Sequence, residues 1–128
     1  MRRPESHPQP LTPLELAQRI AGLAREKLAE DVVILDMRPV AIYTDFFVVC
    51  SGRNTRQTTA IYDEVREQLK HGEGLLPRSV DGQSQGAWII ADYLDVVLHV
   101  FTPETRDYYR LEDLWGDVPS VEVAAAAG

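Results

Sequence analysis

The chain has 128 residues, 45% of them hydrophobic, with 13 Lys and Arg against 20 Asp and Glu, a formal net charge of −7 and one cysteine. That length holds a single domain with a real core and little else. The charge argues against non-specific affinity for DNA, RNA or anionic lipid, the lone Cys50 excludes an internal disulfide, and no apolar run is long enough to span a bilayer.

Residues 1–10, with Pro4, Pro8 and Pro10 among polar neighbours, read as a disordered lead. Arg2 and Arg3 are followed by prolines instead of a signal peptide's apolar segment, which predicts a cytosolic protein. Order begins at Leu11. Thr12 suits a helix cap, Pro13 the first turn, and Glu15 completes a capping box, with Leu11 and Leu16 spaced as a hydrophobic staple. Leu16, Ile20, Leu23, Ala24 and Leu28 then keep one helical stripe to about residue 29. Residues 32–37 and 46–50 read as buried strands, broken apart by Arg38-Pro39, and Cys50 as a small buried hydrophobe at the end of the second. Asn54 caps a second helix whose buried side is Ile61, Val65 and Leu69 and which ends at His71-Gly72. Residues 75–80 form a short edge strand, because Pro77 excludes a central place in a sheet.

A hairpin follows, from Trp88 to Asp92 and from Val96 to Phe101, with Leu94-Asp95 as a two-residue turn. In that register Tyr93 pairs with Val96, Ala91 with Leu98 and Ile89 with Val100, giving one wholly apolar side. Its other side carries Trp88, Ile90, Asp92, Val97, His99 and Phe101. This mixture is too greasy for bare water and too polar for an ordinary core. It fits a surface that another macromolecule covers, or a sheet covered on both sides by the protein's own helices. Residues 88–117 also hold seven carboxylates against Arg106 and Arg110, so most of the net negative charge gathers there. A third helix starts at Thr102-Pro103, with Tyr108, Tyr109, Leu111 and Leu114 as apolar members. Trp115 reads as a lid on the core, and residues 118–128 as a flexible tail. The expected fold class is α/β, a mixed sheet of about five strands flanked by helices, in one domain over residues 11–117.

Catalysis has no constellation here. His99 stands inside a strand, and no histidines or cysteines have metal-ligand spacing, so neither metal nor cofactor is expected. Asp92 and Asp95 flank a turn instead of converging on one point, as two-metal chemistry requires. Ser51-Gly52 before a capped helix, with Arg53 and Arg56 near, is a weak anion-site signal that doubles as a plain turn.

The segments Thr44 to Gly52, Trp88, Asp92-Tyr93, Asp95 to Phe101, Arg106 to Tyr109 and Leu111 to Asp117 resemble the ribosomal silencing factor family (RsfS, or Iojap) over residues 14–118. The resemblance implies a nucleotidyltransferase-like fold without catalytic carboxylates, and a non-enzymatic factor that often forms homodimers. It implies binding to ribosomal protein L14 on the large ribosomal subunit, which blocks subunit joining and represses translation under nutrient limitation. Organellar relatives assist large-subunit assembly, and a nucleotide-binding relative of nucleotidyltransferases is the other alternative. An acidic, aromatic hairpin complements a basic ribosomal protein. The expected partner contacts are Trp88, Asp92, Tyr93, Asp95, His99, Phe101 and Tyr109. Tyr93, Tyr108 and Tyr109 have alternative readings as core packing. Family members commonly have glycine where this chain has Leu94, so either the turn type differs or the pairing is shifted by a residue.

Overall fold

The structure is a computed structural model that describes residues 10–114 and 117–125, without the side chains of Glu112 and Leu114. The expected disorder of residues 1–9 and the lid role of Trp115 lie outside the described residues. Helix α1 (Pro13–Glu26) begins on its capping box. Thr12 Oγ1 accepts the Glu15 N–H at 3.1 Å while Glu15 Oε1 accepts the Thr12 N–H at 2.9 Å. The helix stops short of the expected stripe: Lys27 caps it, and Leu28 turns left-handed at φ 64° and is exposed.

Strands β1 (Glu30–Asp36) and β2 (Phe46–Ser51) come next, then α2 (Thr55–Glu73), capped by Asn54 as read, since its Oδ1 accepts the Gln57 N–H at 2.9 Å. This helix runs through Gly72 and ends at Gly74, whose φ of 64° is the left-handed conformation that glycine adopts freely. The next amide, of Leu75, bonds back to the Leu69 carbonyl at 3.0 Å. The edge strand β3 is Ser79–Asp81, just beyond the proline instead of spanning it. Strands β4 (Trp88–Asp92) and β5 (Val96–Phe101) form the hairpin. The expected third helix divides into α3 (Pro103–Tyr109) and α4 (Leu111–Leu114), because Arg110 takes φ 49° between them.

The sheet is mixed, in the order β3-β4-β5-β2-β1-β6, with β2 and β5 parallel and every other pair antiparallel. Among the described residues it has six strands, in keeping with the mixed sheet of about five that was expected. The sixth, β6 (Ser120–Val121), lies in the segment expected to be a flexible tail, opposite Ile34 and Leu35. Two residues are too short for a periodic signal, so composition hid this strand. Gln18 of α1 fastens it: Nε2 donates to the Glu122 carbonyl at 2.8 Å, and Oε1 accepts the Ala124 N–H at 2.7 Å. A side-chain amide thus supplies the donor and acceptor that a further strand would offer.

Helices α1 and α2 cover one side of the sheet. Leu16, Ile20, Leu23, Ile61, Val65 and Leu69 meet Ile34, Val48, Ile89, Leu98 and Val100 in the main core. The opposite side holds a smaller cluster of Leu35, Met37, Phe47, Val49, Val97 and Phe101, joined by Leu111 of α4. Neither extreme of the two-sided question holds: two long helices seal one side, while short segments cover part of the other.

Candidate protein-binding face

The hairpin pairs in the expected register, Ile89 with Val100, Ala91 with Leu98 and Trp88 with Phe101, and the Tyr93 N–H reaches the Val96 carbonyl at 2.9 Å. Leu94 therefore changes the turn and leaves the pairing in place. It adopts φ 77°, and the Asp95 N–H bonds the Tyr93 carbonyl at 3.0 Å, a γ-turn inside the two-residue loop. Asp92 stabilises this strained conformation, since its Oδ1 accepts the Leu94 N–H at 2.8 Å. Its Oδ2 accepts from Arg78 Nη2 at 2.9 Å.

Alternation along β4 and β5 sends Trp88 and His99 to the side away from α1 and α2. There a continuous run of rings crosses the sheet. Tyr43 lies 6.5 Å from Phe47, and Phe47 lies 4.6 Å from His99. The Trp88 indole N–H donates to His99 Nδ1 at 3.2 Å, and Trp88 stacks on Phe101 at 4.9 Å. Tyr109 packs 4.8 Å from Trp88 and meets Tyr108 edge-on at 5.0 Å. Separations of this kind are each worth about 0.5–1.5 kcal/mol beyond area burial. Phe47, His99 and Phe101 are buried within the run, Trp88 is half-buried, and the ends are open: Tyr43 and Tyr109 are about half exposed, and Tyr108 more so.

The predicted contacts divide accordingly. Trp88 and Asp92 are half-buried with outward access, and Asp95 and Tyr109 are exposed. Phe101 (0% exposed) and His99 (6%) are buried beneath Trp88 and are corrected from contacts to supports. Tyr93 (4%) is corrected too: it points into the helical core, where burial raises its phenol well above the ordinary range. Asp92 is already engaged by Arg78 and the turn, which leaves Asp95 as the hairpin's more available carboxylate. Farther along, Arg110 lies 3.7 Å from Asp107 and 3.4 Å from Asp113.

Sequence reasoning missed the loop between β1 and β2. Val40 and Tyr43 are exposed and Ile42 fully so. The signal was present: Val40-Ala41-Ile42-Tyr43 is an apolar run placed in a loop, where solvation ordinarily selects polar residues.

At the Ser51-Gly52 turn, groups that an anion site would use have partners within the chain. A Cβ on Gly52 would fall 2.8 Å from the Thr58 amide nitrogen, so the backbone itself sits against the first turn of α2. Ser51 Oγ accepts from Arg106 Nη1 at 2.9 Å, and Gln57 Oε1 takes the Arg53 N–H at 2.8 Å. No group of three or more His, Cys, Asp or Glu could hold a metal among the described residues, and no described helix is long and apolar enough to cross a membrane.

Comparison with known proteins gives a consistent picture. A family model described as "Ribosomal silencing factor during starvation" matches residues 10–127. The chain is 38% identical over 109 residues to ribosomal silencing factor RsfS of Halalkalibacterium halodurans, covering 85% of this chain and 92% of that protein. It is 34% identical over 101 residues to mouse "Mitochondrial assembly of ribosomal large subunit protein 1", covering 75% of this chain and 43% of that one. A crystal structure of a Chromobacterium violaceum protein superposes with a TM-score of 0.80 at 28% identity, over 91% of this chain and 96% of the other. One from Bacillus halodurans gives 0.70 at 37% identity, over 85% and 95%. With that model matching nearly its whole length, the chain belongs to the ribosomal silencing factor family.

Proposed function

We propose that the sheet face bearing Trp88 binds ribosomal protein L14 on the large ribosomal subunit, and that the bound protein sterically prevents subunit joining. It acts in the cytoplasm as a non-enzymatic repressor of translation under nutrient limitation. The observation that carries this reading is the ring run from Tyr43 to Tyr108, with Trp88 half-buried over His99 and Phe101 and the tyrosines at the ends open, beside an acidic segment. An aromatic centre with a charged rim is the usual anatomy of a protein interface, and the negative rim selects a cationic partner. The same face is also where a homodimer would pair. A role in large-subunit assembly is the second reading, favoured by the name of the mouse relative.

Co-sedimentation with purified large subunits tests the proposal. The protein should travel with large subunits, and Asp95→Lys should weaken that association. Absence from the subunit fraction at saturating protein refutes it.

A further inference from the structure

We propose that His99 is a positioning residue for Trp88: its Nδ1 anchors the indole N–H and fixes the ring that the partner meets. This deepens the reading of the face as a ribosome-binding surface, and rests on it.

The geometry follows from strand register. Trp88 sits opposite Phe101 and His99 opposite Ile90, so Trp88 and His99 are diagonal neighbours on one side of the sheet, within reach for long side chains. The Phe101 ring supports the indole from beneath at 4.9 Å, with 26° between the planes. Stacking alone fixes the plane of the ring but not which edge faces the strand, because a half-turn about χ2 keeps that plane. The 3.2 Å hydrogen bond from Nε1 to His99 Nδ1 removes that choice.

The histidine also carries a cost that a merely structural residue would avoid. Because Nδ1 accepts, the neutral ring has its proton on Nε2. That atom is buried with no hydrogen-bond partner among the described residues. Burying an unpaired donor is unfavourable, and leucine would fill the same space among Phe47, Trp88 and Phe101 without the penalty. What imidazole offers here and leucine lacks is one acceptor, aimed at Trp88.

The test uses the full chain, with binding to purified large subunits and the Trp88 indole ¹H–¹⁵N resonance as readouts, the latter assigned by its loss in Trp88→Phe. His99→Leu should keep the fold, shift that resonance, speed its exchange with solvent, and weaken binding by about three- to tenfold, the worth of one hydrogen bond. His99→Asn, whose Oδ1 falls near the place of Nδ1, should restore both readouts. In a Trp88→Phe background, His99→Leu should weaken binding no further. Wild-type affinity in a folded His99→Leu protein, or a loss that persists without the indole, overturns the inference while leaving the binding face standing. Wild-type affinity in Trp88→Ala overturns the face and this inference together. If His99→Leu does not fold, His99→Asn decides: the indole signal and the affinity must then rise or fall together, and independent changes overturn the proposal.

Discussion

The buried His99 should make stability depend on pH as the solution is acidified through the ordinary imidazole range. The imidazole is 6% exposed, and burial, which disfavours the cation, pushes its pKa from 6.5 down to about 4. A lowered folded-state value means that the unfolded chain takes up the proton first. Between about pH 6.5 and 4 the unfolded state therefore binds more protons than the native one, and stability falls as pH falls. Above that window the native state keeps its full advantage; below it both states are protonated and the histidine has no further effect. A separation of this size corresponds to about 3 kcal/mol, at ~1.4 kcal/mol for each pH unit. Urea midpoints of the wild type and His99→Leu at pH 7.5, 6, 5 and 4 measure it. Carboxylates titrate in both proteins and cancel in the difference, which isolates the imidazole. The wild type should lose about 3 kcal/mol relative to the variant across the series. Parallel curves would refute the claim that the ring is buried in its neutral form.

Asp92→Ala should lower stability by about 1 kcal/mol, chiefly through loss of the acceptor on the Leu94 amide, because the exposed Arg78 pair is worth little. Asp92→Asn, which keeps an acceptor, should lose less, and equal losses in urea melts would contradict the turn-capping role. Gln18→Ala removes two hydrogen bonds to the segment just after the last strand, at about 0.5–1.5 kcal/mol each. Hydrogen exchange should quicken at Ala124 and stay slow at Val48; uniform change would contradict a local clasp. Cys50 is fully buried, and desolvation pushes its thiol up to about 12, so native protein should resist alkylation that urea-unfolded protein undergoes. Rapid labelling of the folded chain would show that β2 opens far more readily than its burial implies.

Much of this fold is legible from local chemistry. The Thr12–Glu15 box and the Asn54 cap announce their helices because each orphan amide needs an acceptor close in sequence. The hairpin register follows from alternation, and it survives Leu94 because Asp92 and a γ-turn absorb the positive φ. Where the sequence misleads, the cause is tertiary. Val48 and Leu98 read as apolar in any sheet, but nothing local says that β2 lies parallel to β5. Strand β6 exists only because β1 has an open edge and Gln18 lies across from it. For the candidate face, residue type located the patch but could not set depth. His99 and Phe101 share a side with Trp88, yet Trp88 and its neighbours roof them over. Depth also promotes the β1–β2 loop, whose Tyr43 reaches the ring run only once β2 has brought Phe47 beside His99.

The central claim is that an aromatic sheet face obstructs the ribosome, and Trp88 is its fixed centre. Subunit association followed by light scattering, with purified large and small subunits and saturating protein, addresses it most directly. Wild-type protein should suppress joining, whereas folded Trp88→Ala, having lost at least ~2 kcal/mol of binding, should restore it at the same concentration. Joining that proceeds unimpeded with the wild-type chain, or suppression undiminished by Trp88→Ala, would contradict the account.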